Sequence, residues 1–385
     1  MRQGNLNVVY IGGDAFPVGF ATTKRRRYMV DYMNSHDIQS RYLVCGYKKH
    51  HNIKNPTHGW YGSCEYRDIT SLATSKNYIA FWRQGKKQLR EWFAKDMRNV
   101  LIFSTTISVF EYPFYLYARK LGYKIVFDHV ETCYWKYERT RFIRKMYLNL
   151  SEWLSNKAYR HSAAFVISKN LWNEVLESNP NRKVCLLPNS TPQLCQRAKK
   201  TFSSPIKILY SGTFASKDGV KYLLDGVMEA REAGANIELT LLGKGVKADM
   251  AILDSVKDKA YIRYLGFVPD EELIEHLLES DILCMTRCNS VFANYGFPFK
   301  LSEYLSTGNV VLATSVGDVD DYVRDRESAY IIPPEDSHAI ANAILHIEAN
   351  PEEALNVAQG GLEAMRQHFS IEKVGETFVS FLSGL

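Results

Sequence analysis

Residues 294–314 read NYGFPFKLSEYLSTGNVVLAT, in which a glycine–proline loop opens a short helix and an apolar strand follows. Gly308 is placed to end the helix, and the apolar run Val310–Ala313 favours a strand. Turn residues, a short helix and a short apolar strand in this order are typical of a parallel sheet covered by helices.

The same alternation extends outward from this stretch over the whole chain. Helix candidates such as Arg25–Asn34, Asp218–Ala233 and Asp270–Glu279 separate the apolar runs. This pattern predicts α/β architecture with doubly wound parallel sheets that are buried on both faces. The predicted strands are Val8–Ile11, Ser40–Val44, Val100–Phe103, Lys124–Phe127, Ala163–Ile167, Ile206–Tyr210, Glu238–Leu242, Tyr261–Tyr264, Ile282–Met285 and Val310–Ala313.

The length and the charge distribution predict two domains. A chain of 385 residues exceeds the size at which one hydrophobic core usually stops growing. Residues 1–200 contain 33 Lys and Arg with 14 Asp and Glu, a net charge of +19, whereas residues 201–385 contain 15 and 28, a net charge of −13. Turn residues lie where the sign changes. We predict a first domain over 1–187, a linker over 188–204, a second domain over 205–365, and a final helix over 366–385 that packs back on the first domain.

The composition narrows the class of protein. Seven cysteines without a CxxC pair favour reduced thiols over disulfides or a zinc site. Neither an apolar signal core at the start nor a run of about 18 apolar residues occurs, so we expect a cytoplasmic protein without a spanning helix. The basic half favours anionic surfaces such as acidic lipid. Nucleic acid is disfavoured because recognition motifs and aromatic stacking platforms are not evident.

Ligands of open α/β sheets bind at the carboxyl ends of the strands, so the loops there are informative. Gly12 and Gly13 follow the first strand, where glycine lets the backbone approach a ligand closely. Lys217 lies between the strand Ile206–Tyr210 and a helix, where a basic side chain and backbone amides can hold phosphate. For each loop, a plain strand–helix turn is an equally good interpretation.

The loop in residues 294–314 carries more information. Backbone amides of Phe299, Lys300 and Leu301 are expected to point at an anion in front of the helix. Glu303, one turn inside, has a carboxylate that can accept hydrogen bonds from two adjacent hydroxyls, as on a ribose.

These segments resemble glycosyltransferase family 4, and the similarity is dense from about residue 163 to 345. The resemblance implies the GT-B fold, two Rossmann-like domains facing a cleft, and a retaining transfer from a nucleotide-sugar donor. GFPFKLSEY also resembles a branch of bacterial polysaccharide enzymes. The matching segments are SAAFVISK (162–169) before the hinge, LLPNS (186–190) for IPNG, ILYSGTFASKDGV (208–220) for GRLxxxKG, VVLAT (310–314) for PVVAT, and IIPP (331–334) for LVPP.

The resemblance also implies residue roles. Glu303 would hold the donor ribose and Lys217 the diphosphate, whereas Tyr295 and Thr213 stand where the family has a first Glu and an Arg. The missing first Glu leaves recognition of the donor sugar open. The predicted donor-binding residues are Gly12, Gly13, Gly212, Thr213, Lys217, Tyr295, Gly296, Phe297, Phe299, Lys300, Leu301 and Glu303.

On the acceptor side, Asp128, His129 and Glu131 follow the strand Lys124–Phe127. Family members often place a His at such a strand end, so we predict His129, Lys217 and Glu303 as catalytic residues. Capping of the next helix by Asp128 or His129 is the structural alternative.

Two further motifs are set aside. GKGVKA (243–248) resembles a dinucleotide loop but lacks a clear acidic residue about 20 positions later. DVDD (318–321) resembles a metal-binding DxD, but GT-B enzymes stabilise the leaving diphosphate with helix dipoles and basic residues, so we predict neither a metal nor another cofactor.

Basic and aromatic residues suggest a membrane face as one of two interpretations. The run Lys24–Arg27 is either a solvated helix start or part of a basic–aromatic surface. The surface would add Arg139, Arg141, Arg144, Lys145, Trp135, Tyr137, Phe142 and Tyr147.

The sequence thus predicts a metal-independent retaining glycosyltransferase. A UDP- or GDP-sugar would be the donor, and a glycan or lipid-linked molecule of cell-surface polysaccharide biosynthesis would be the acceptor. A peripheral position at the inner face of the membrane is compatible with this prediction. Two alternatives stay open: a sugar-nucleotide 2-epimerase of the same fold, and a non-catalytic subunit of a polysaccharide assembly complex.

Overall fold

The computed structural model describes residues 5–19, 21–45, 55–131, 142–196, 198 and 201–385. The chain divides into two compact units. The first comprises Met1–Ser190 together with Ile371–Leu385, and the second comprises Thr191–Ser370.

The first unit is built on eight strands. They are β1 (Leu6–Gly12), β2 (Gln39–Val44), β3 (His58–Tyr61), β4 (Cys64–Asp68), β5 (Arg98–Ser104), β6 (Lys124–His129), β7 (Ala163–Val166) and β8 (Val184–Leu186). Their order in the sheet is β3-β4-β2-β1-β5-β6-β7-β8. Neighbours pair in parallel except β3 and β4, which form an antiparallel edge. The helices are α1 (Ala21–Ser35), α2 (Thr70–Thr74), α3 (Tyr78–Glu91), α4 (Tyr112–Leu121), α5 (Phe142–Tyr159), α6 (Lys169–Ser178) and, from the far end of the chain, α15 (Ile371–Ser383).

The core of the first unit follows from its apolar strands. All seven residues of β1 are buried, as expected for a central parallel strand covered on both faces. Helix α15 completes this core: the ring of Phe378 stacks 6.4 Å from that of Tyr10 and 5.1 Å from that of Phe165. Gly375 permits the close packing of α15 on α1, because a Cβ there would lie 2.2 Å from the Tyr32 ring.

The second unit is built on six strands, all paired in parallel. They are β9 (Ile206–Thr213), β10 (Ile237–Lys244), β11 (Ile262–Gly266), β12 (Ile282–Met285), β13 (Val310–Thr314) and β14 (Tyr330–Ile332), in the order β11-β10-β9-β12-β13-β14. The helices are α7 (Val220–Glu232), α8 (Lys247–Met250), α9 (Asp270–Glu279), α10 (Val291–Tyr295), α11 (Phe299–Leu305), α12 (Val319–Tyr322), α13 (Ser337–Ala349) and α14 (Pro351–His368), with 3₁₀ turns at Ser216–Asp218 and Ala251–Ser255.

All ten strands predicted from the sequence are present, and they pair in parallel as predicted, whereas the antiparallel β3–β4 pair at the edge of the first sheet was not predicted. Four strands were not predicted: β3, β4, β8 and β14. The first two are partly exposed and carry few apolar residues, and the other two are only three residues long. Among the described residues, no helix is long and apolar enough to cross a membrane.

Candidate functional site

Three basic side chains, Lys217, Arg287 and Lys300, lie near one buried carboxylate in the second unit, and we call them the cationic cluster. They lie beyond the carboxyl ends of β9 and β12, where ligands of parallel sheets bind. The carboxylate is that of Asp218, which accepts a hydrogen bond from Thr213 Oγ1. The charge of Asp218 acts on the pKa values of both Arg287 and Lys300, which shows that the three groups are close.

The backbone that carries Lys217 is held firmly. Its carbonyl oxygen accepts a hydrogen bond from Cys288 N at 2.9 Å, and Ser216 O accepts one from Cys288 Sγ at 3.2 Å. Gly219, with φ of +67°, then starts α7, and a Cβ there would lie 1.8 Å from Thr286 O. Only glycine fits this turn, so the position of Lys217 is set by the main chain. The ammonium itself is exposed and lies 6.0 Å from the Phe292 ring.

Arg287 was missed by the sequence analysis. It lies two residues beyond the end of β12, and burial lowers the pKa of its guanidinium against the favourable charges of Asp218 and Tyr210. Its Nη1 is buried and makes no hydrogen bond within the part of the chain that the structure describes. A buried donor without an acceptor is costly, so an anionic ligand at this position would be strongly favoured. Its position after the predicted strand Ile282–Met285 could have identified it, because loops that follow parallel strands lie at the ligand edge of the sheet.

Lys300 contributes its side chain as well as the backbone amide that was predicted. Its Nζ lies 3.3 Å from Tyr210 Oη and 4.4 Å from the centre of that ring. Burial lowers its pKa to about 8, and the nearby charge of Asp218 opposes this effect. Gly212 leaves the space that the amine occupies, since a Cβ there would lie 2.5 Å from Nζ.

One of the predicted free amides is not free. Leu301 N donates to Pro298 O at 3.2 Å, because the first turn of α11 closes tightly on the carbonyl of its N-cap residue. The prediction that the amides of Phe299, Lys300 and Leu301 all face an anion is therefore wrong for Leu301. The other two stay a prediction.

Helix α11 places Glu303 near the cationic cluster. Tyr304 on this helix bonds to both Ser211 N and Ser211 O at 3.1 Å, which fastens α11 to β9. Glu303 is half-buried, and its charge raises the pKa of Lys300. Tyr295, in place of the family's first Glu, ends α10 and is also half-buried. The structure thus brings Gly212, Thr213, Lys217, Lys300 and Glu303 into one neighbourhood.

The first glycine loop is partly filled by Arg26. The guanidinium of this buried residue donates to Tyr42 Oη and Ser104 Oγ at 2.6 Å each and pairs with Asp14 at 3.2 Å. A Cβ on Gly12 would lie 2.9 Å from Ser104 Oγ and 3.3 Å from Arg26 Nη1. Gly12 therefore makes room for a cation of the protein itself. Donor binding by Gly12 and Gly13 stays a prediction.

Arg25 forms the main ion pair of the first unit with Asp128. Its Nη2 lies 3.1 Å from Asp128 Oδ1, and Nε lies 3.3 Å from Oδ2. The same guanidinium donates to the carbonyls of Leu187 and Pro188 at 2.9 and 2.8 Å. The interpretation of Lys24–Arg27 as a solvated helix start or membrane face is wrong for Arg25 and Arg26, because both pair with buried partners distant in sequence.

His129 is a buried neutral ring. Its Nε2 lies 3.4 Å from Arg182 Nη2, and its ring packs 5.0 Å from that of Tyr159. Burial and the charge of Arg182 lower its pKa to about 3. A neutral His129 accepts a proton poorly at neutral pH, and Glu131 nearby is exposed. The catalytic and acceptor-side roles of Asp128, His129 and Glu131 stay predictions.

In the structure, residues of the DVDD and GKGVKA motifs contact other parts of the second unit. Asp320 in the DVDD run accepts a hydrogen bond from Ser315 Oγ, and across the described ranges no group of three His, Cys, Asp or Glu side chains could hold a metal ion. Gly243 packs against β9, where a Cβ would lie 1.8 Å from Gly212 O. The side chains of Lys247 and Ala248, and residues 135, 137, 139 and 141 of the predicted membrane face, lie outside the described residues.

Residues 205–350, which contain this site, match the family described as glycosyl transferases group 1. The predicted resemblance to glycosyltransferases is thereby confirmed for this part of the chain. Two curated relatives match over 188 residues, 47% of this chain and 46% of each relative: the amylovoran biosynthesis glycosyltransferase AmsK of Erwinia amylovora, 22% identical, and the phosphatidyl-myo-inositol mannosyltransferase of Mycobacterium leprae, 24% identical. The matches therefore span about half the length of these relatives.

Solved structures resemble the whole chain in fold. HepE of Anabaena in complex with UDP has a TM-score of 0.69 at 10% identity, covering 98% of this chain and all of that one. Sucrose-phosphate synthase of Thermosynechococcus elongatus has a TM-score of 0.72 at 14% identity, covering 98% of each. The predicted GT-B fold of two Rossmann-like domains is confirmed.

Proposed function

We propose that this protein, whose residues 205–350 match the group 1 glycosyl transferases, transfers a sugar from a UDP- or GDP-sugar to an acceptor with retention of the anomeric configuration. The acceptor would be a glycan or a lipid-linked molecule of cell-surface polysaccharide biosynthesis. The name of AmsK, an amylovoran biosynthesis enzyme, supports that role, and the UDP bound to HepE supports a nucleotide donor.

The observation that carries this proposal is the cationic cluster. Negative charge grows on the departing diphosphate when the sugar–phosphate bond breaks. Lys217, Arg287 and Lys300 offer three positive charges at the ligand edge of the sheet, and Arg287 retains an unsatisfied buried donor. Because these groups can stabilise the leaving diphosphate, we propose that the reaction needs no metal ion.

A donor screen followed by product analysis tests the function. Thermal shifts of the full chain with a panel of nucleotide sugars would identify the best binder, and NMR would then assign the anomer of the product. We expect retention, and activity that survives a chelator. An inverted anomer would contradict the retaining mechanism, and loss of activity with a chelator would contradict metal independence. Donor cleavage without acceptor would favour a 2-epimerase, and binding without turnover a non-catalytic subunit.

Glu303→Ala should weaken donor binding by about 1.5–3 kcal/mol, because a carboxylate that accepts ribose hydroxyls makes charge-assisted hydrogen bonds. Calorimetric titration with the best nucleotide sugar measures the loss. Glu303→Gln should lose less, since it retains an acceptor. Glu232→Ala, an exposed position on α7, is the matched control. A folded Glu303→Ala variant with unchanged affinity would remove Glu303 from the site.

Nucleoside diphosphate affinity should fall roughly tenfold between pH 7 and pH 9. The binding form of Lys300 is the ammonium, and it is lost as pH rises through a pKa of about 8. Titrations with UDP and GDP at three pH values would measure this. Lys300→Arg, whose guanidinium stays protonated, should give a flatter profile. A wild-type profile that does not change with pH would show that the Lys300 amine does not meet the phosphates.

We also propose that α5 rests on an anionic membrane. One face of this helix exposes Phe142, Ile143, Met146, Leu150 and Trp153, spaced for a single apolar stripe. The exposed basic residues Arg144 and Lys145 lie on the same helix, outside this stripe. An amphipathic helix with this pattern inserts its apolar face at the lipid boundary while its cations meet anionic headgroups.

Ile143→Asp should weaken binding to vesicles containing phosphatidylglycerol by about tenfold, because it removes one buried aliphatic side chain from the lipid contact. Vesicle co-sedimentation measures the effect, and salt should release the wild-type protein. Ile79→Asp is a matched control on α3, since both isoleucines are 81% exposed. Equal binding of the Ile143→Asp and Ile79→Asp variants would show that this face of α5 does not contact the membrane. So would wild-type binding to neutral vesicles that is as strong as binding to anionic ones.

A further inference from the structure

A polar pocket in the first unit lies at the amino ends of the strands, opposite to the edge where the strands have their carboxyl ends. It has a volume of about 380 Å³. Lys124 at the start of β6, Ala163 at the start of β7 and Lys183 just before β8 line it, so it opens at the amino ends of these strands. Asp128, His129 and Glu131 lie toward the other end of β6. The pocket therefore opens at the end of β6 away from these residues, and Arg182 connects the two places, since its Nη2 lies 3.4 Å from His129 Nε2.

The lining of this pocket is strongly basic. None of the described side chains that line it is Asp or Glu, whereas Leu385, whose main-chain carboxylate is negative, also lines it and offsets one of the positive charges. Lys183 donates to Gly384 O at 2.8 Å, and the amides of Asn179 and Asn181 add polar groups. The basic residues are Arg119, Lys124, Arg160, Arg182, Lys183 and, when protonated, His161. Like charges gathered in one concave site raise the local concentration of anions.

Arg182 is the buried member of this set, with 6% of its surface exposed. Its Nε donates to Ser162 O at 2.9 Å and its Nη2 to Ala163 O at 3.2 Å, and the guanidinium lies 4.8 Å from the Tyr159 ring centre. Its Nη1 is buried and, as far as the described chain extends, has no hydrogen-bond partner. Burial also lowers its pKa to about 10, so the charge is incompletely compensated. Because Arg182 lines the pocket, a phosphate bound there would lie close to this guanidinium and its charge.

We propose that this pocket binds a phosphate-bearing ligand, either a soluble phosphoryl compound or the phosphate of a lipid headgroup. Arginine forks match phosphate geometry, and three of the basic residues are arginines. The volume falls in the usual range for small-ligand sites, whereas the lining is too polar for an apolar ligand. This site is separate from the proposed donor site in the second unit.

Helix α5 connects the pocket to the proposed membrane face. Arg160 and His161 directly follow the end of this helix, whose other residues carry the exposed apolar stripe. An 18-residue helix is about 27 Å long, so a protein lying on lipid along α5 would bring the pocket near headgroup phosphates. A soluble phosphoryl ligand has the same chemistry, and the two sources are separated by experiment.

The test uses the full chain with Lys124→Glu/Arg160→Glu, two exposed positions whose reversal spares buried Arg182. Arg83→Glu/Arg90→Glu on α3 makes the same charge change at exposed positions outside the pocket. Pyrophosphate calorimetry is the soluble arm, with Lys300→Ala present to weaken binding at the donor site. Vesicles of phosphatidylcholine with phosphatidic acid, compared with phosphatidylglycerol, are the lipid arm.

For a soluble ligand, we expect pyrophosphate to bind the Lys300→Ala protein and the pocket reversal to weaken this binding at least tenfold. For a lipid phosphate, we expect a preference for phosphatidic acid that the pocket reversal abolishes. Either result supports the pocket. If the pocket reversal behaves like the α3 reversal in both arms, the proposal is wrong. The donor-site function would stand regardless, because its readout is nucleotide-sugar turnover by the wild type.

Discussion

Lys217→Ala is expected to lower turnover about 10²-fold while weakening donor binding much less. The ammonium lies at the ligand edge of the second sheet, and a preorganised charge acts mainly where negative charge develops in the transition state. Removal of one such donor costs about 10²–10³ in turnover, and Arg287 and Lys300 remain to keep the loss toward the lower value. Steady-state kinetics and donor titration of the same variant separate the two quantities.

Lys221→Ala is the matched control for this experiment. Lys221 is exposed on the first turn of α7 and carries the same charge four residues later. We expect its turnover to stay near the wild-type value, and Lys217→Arg to recover part of the loss. Full turnover in Lys217→Ala would show that this ammonium does not stabilise the transition state. Equal losses from both alanine variants would show that the total charge of the unit matters rather than the position of Lys217.

Asp128→Ala should destabilise the first unit by about 3–5 kcal/mol, because it leaves the buried Arg25 guanidinium without its counter-charge. For a unit of this size, such a loss corresponds to a melting temperature lower by roughly 6–20 °C. Differential scanning calorimetry of the full chain, with circular dichroism to check folding at 20 °C, measures it.

A double-mutant cycle separates the structural role from the predicted acceptor-side role. Asp128→Asn should cost less than alanine, since it keeps a hydrogen-bond acceptor. Arg25→Met with Asp128→Leu should recover part of the loss, because it removes both charges together. An Asp128→Ala protein with an unchanged melting temperature and lost activity would instead support a direct role with the acceptor.

The apolar runs were sufficient to predict the parallel sheets. Each of the ten predicted strands is rich in apolar residues, chiefly Val, Ile, Leu, Phe and Tyr, and central strands such as β1, β12 and β13 are buried along their whole length. The antiparallel β3–β4 edge was not predictable in this way. Its strands, HGWY and CEYRD, are half exposed and obtain their order from pairing with a neighbour rather than from an apolar face.

The site was less predictable, because its charges find partners distant in sequence. Arg25 meets Asp128 across 103 positions, and Lys300 meets Tyr210 across 90. A run such as KRRR looks the same whether its members are solvated or buried. The glycines and lysines that follow strands were recognisable, since the fold sends every such loop to one edge. Arg287 also follows a strand, but it belongs to no motif, so the sequence alone did not single it out.

The position of α15 has a consequence for synthesis on the ribosome. Residues 191–370 emerge after the first 190 residues but before the helix that covers Tyr10 and Phe165. The core of the first unit is therefore incomplete until α15 is translated, whereas the second unit can complete its core earlier. Until residues 371–383 are released, the nascent amino-terminal sheet exposes aromatic surface. The nascent first unit thus stays vulnerable to aggregation and to chaperone capture while residues 191–370 are being translated.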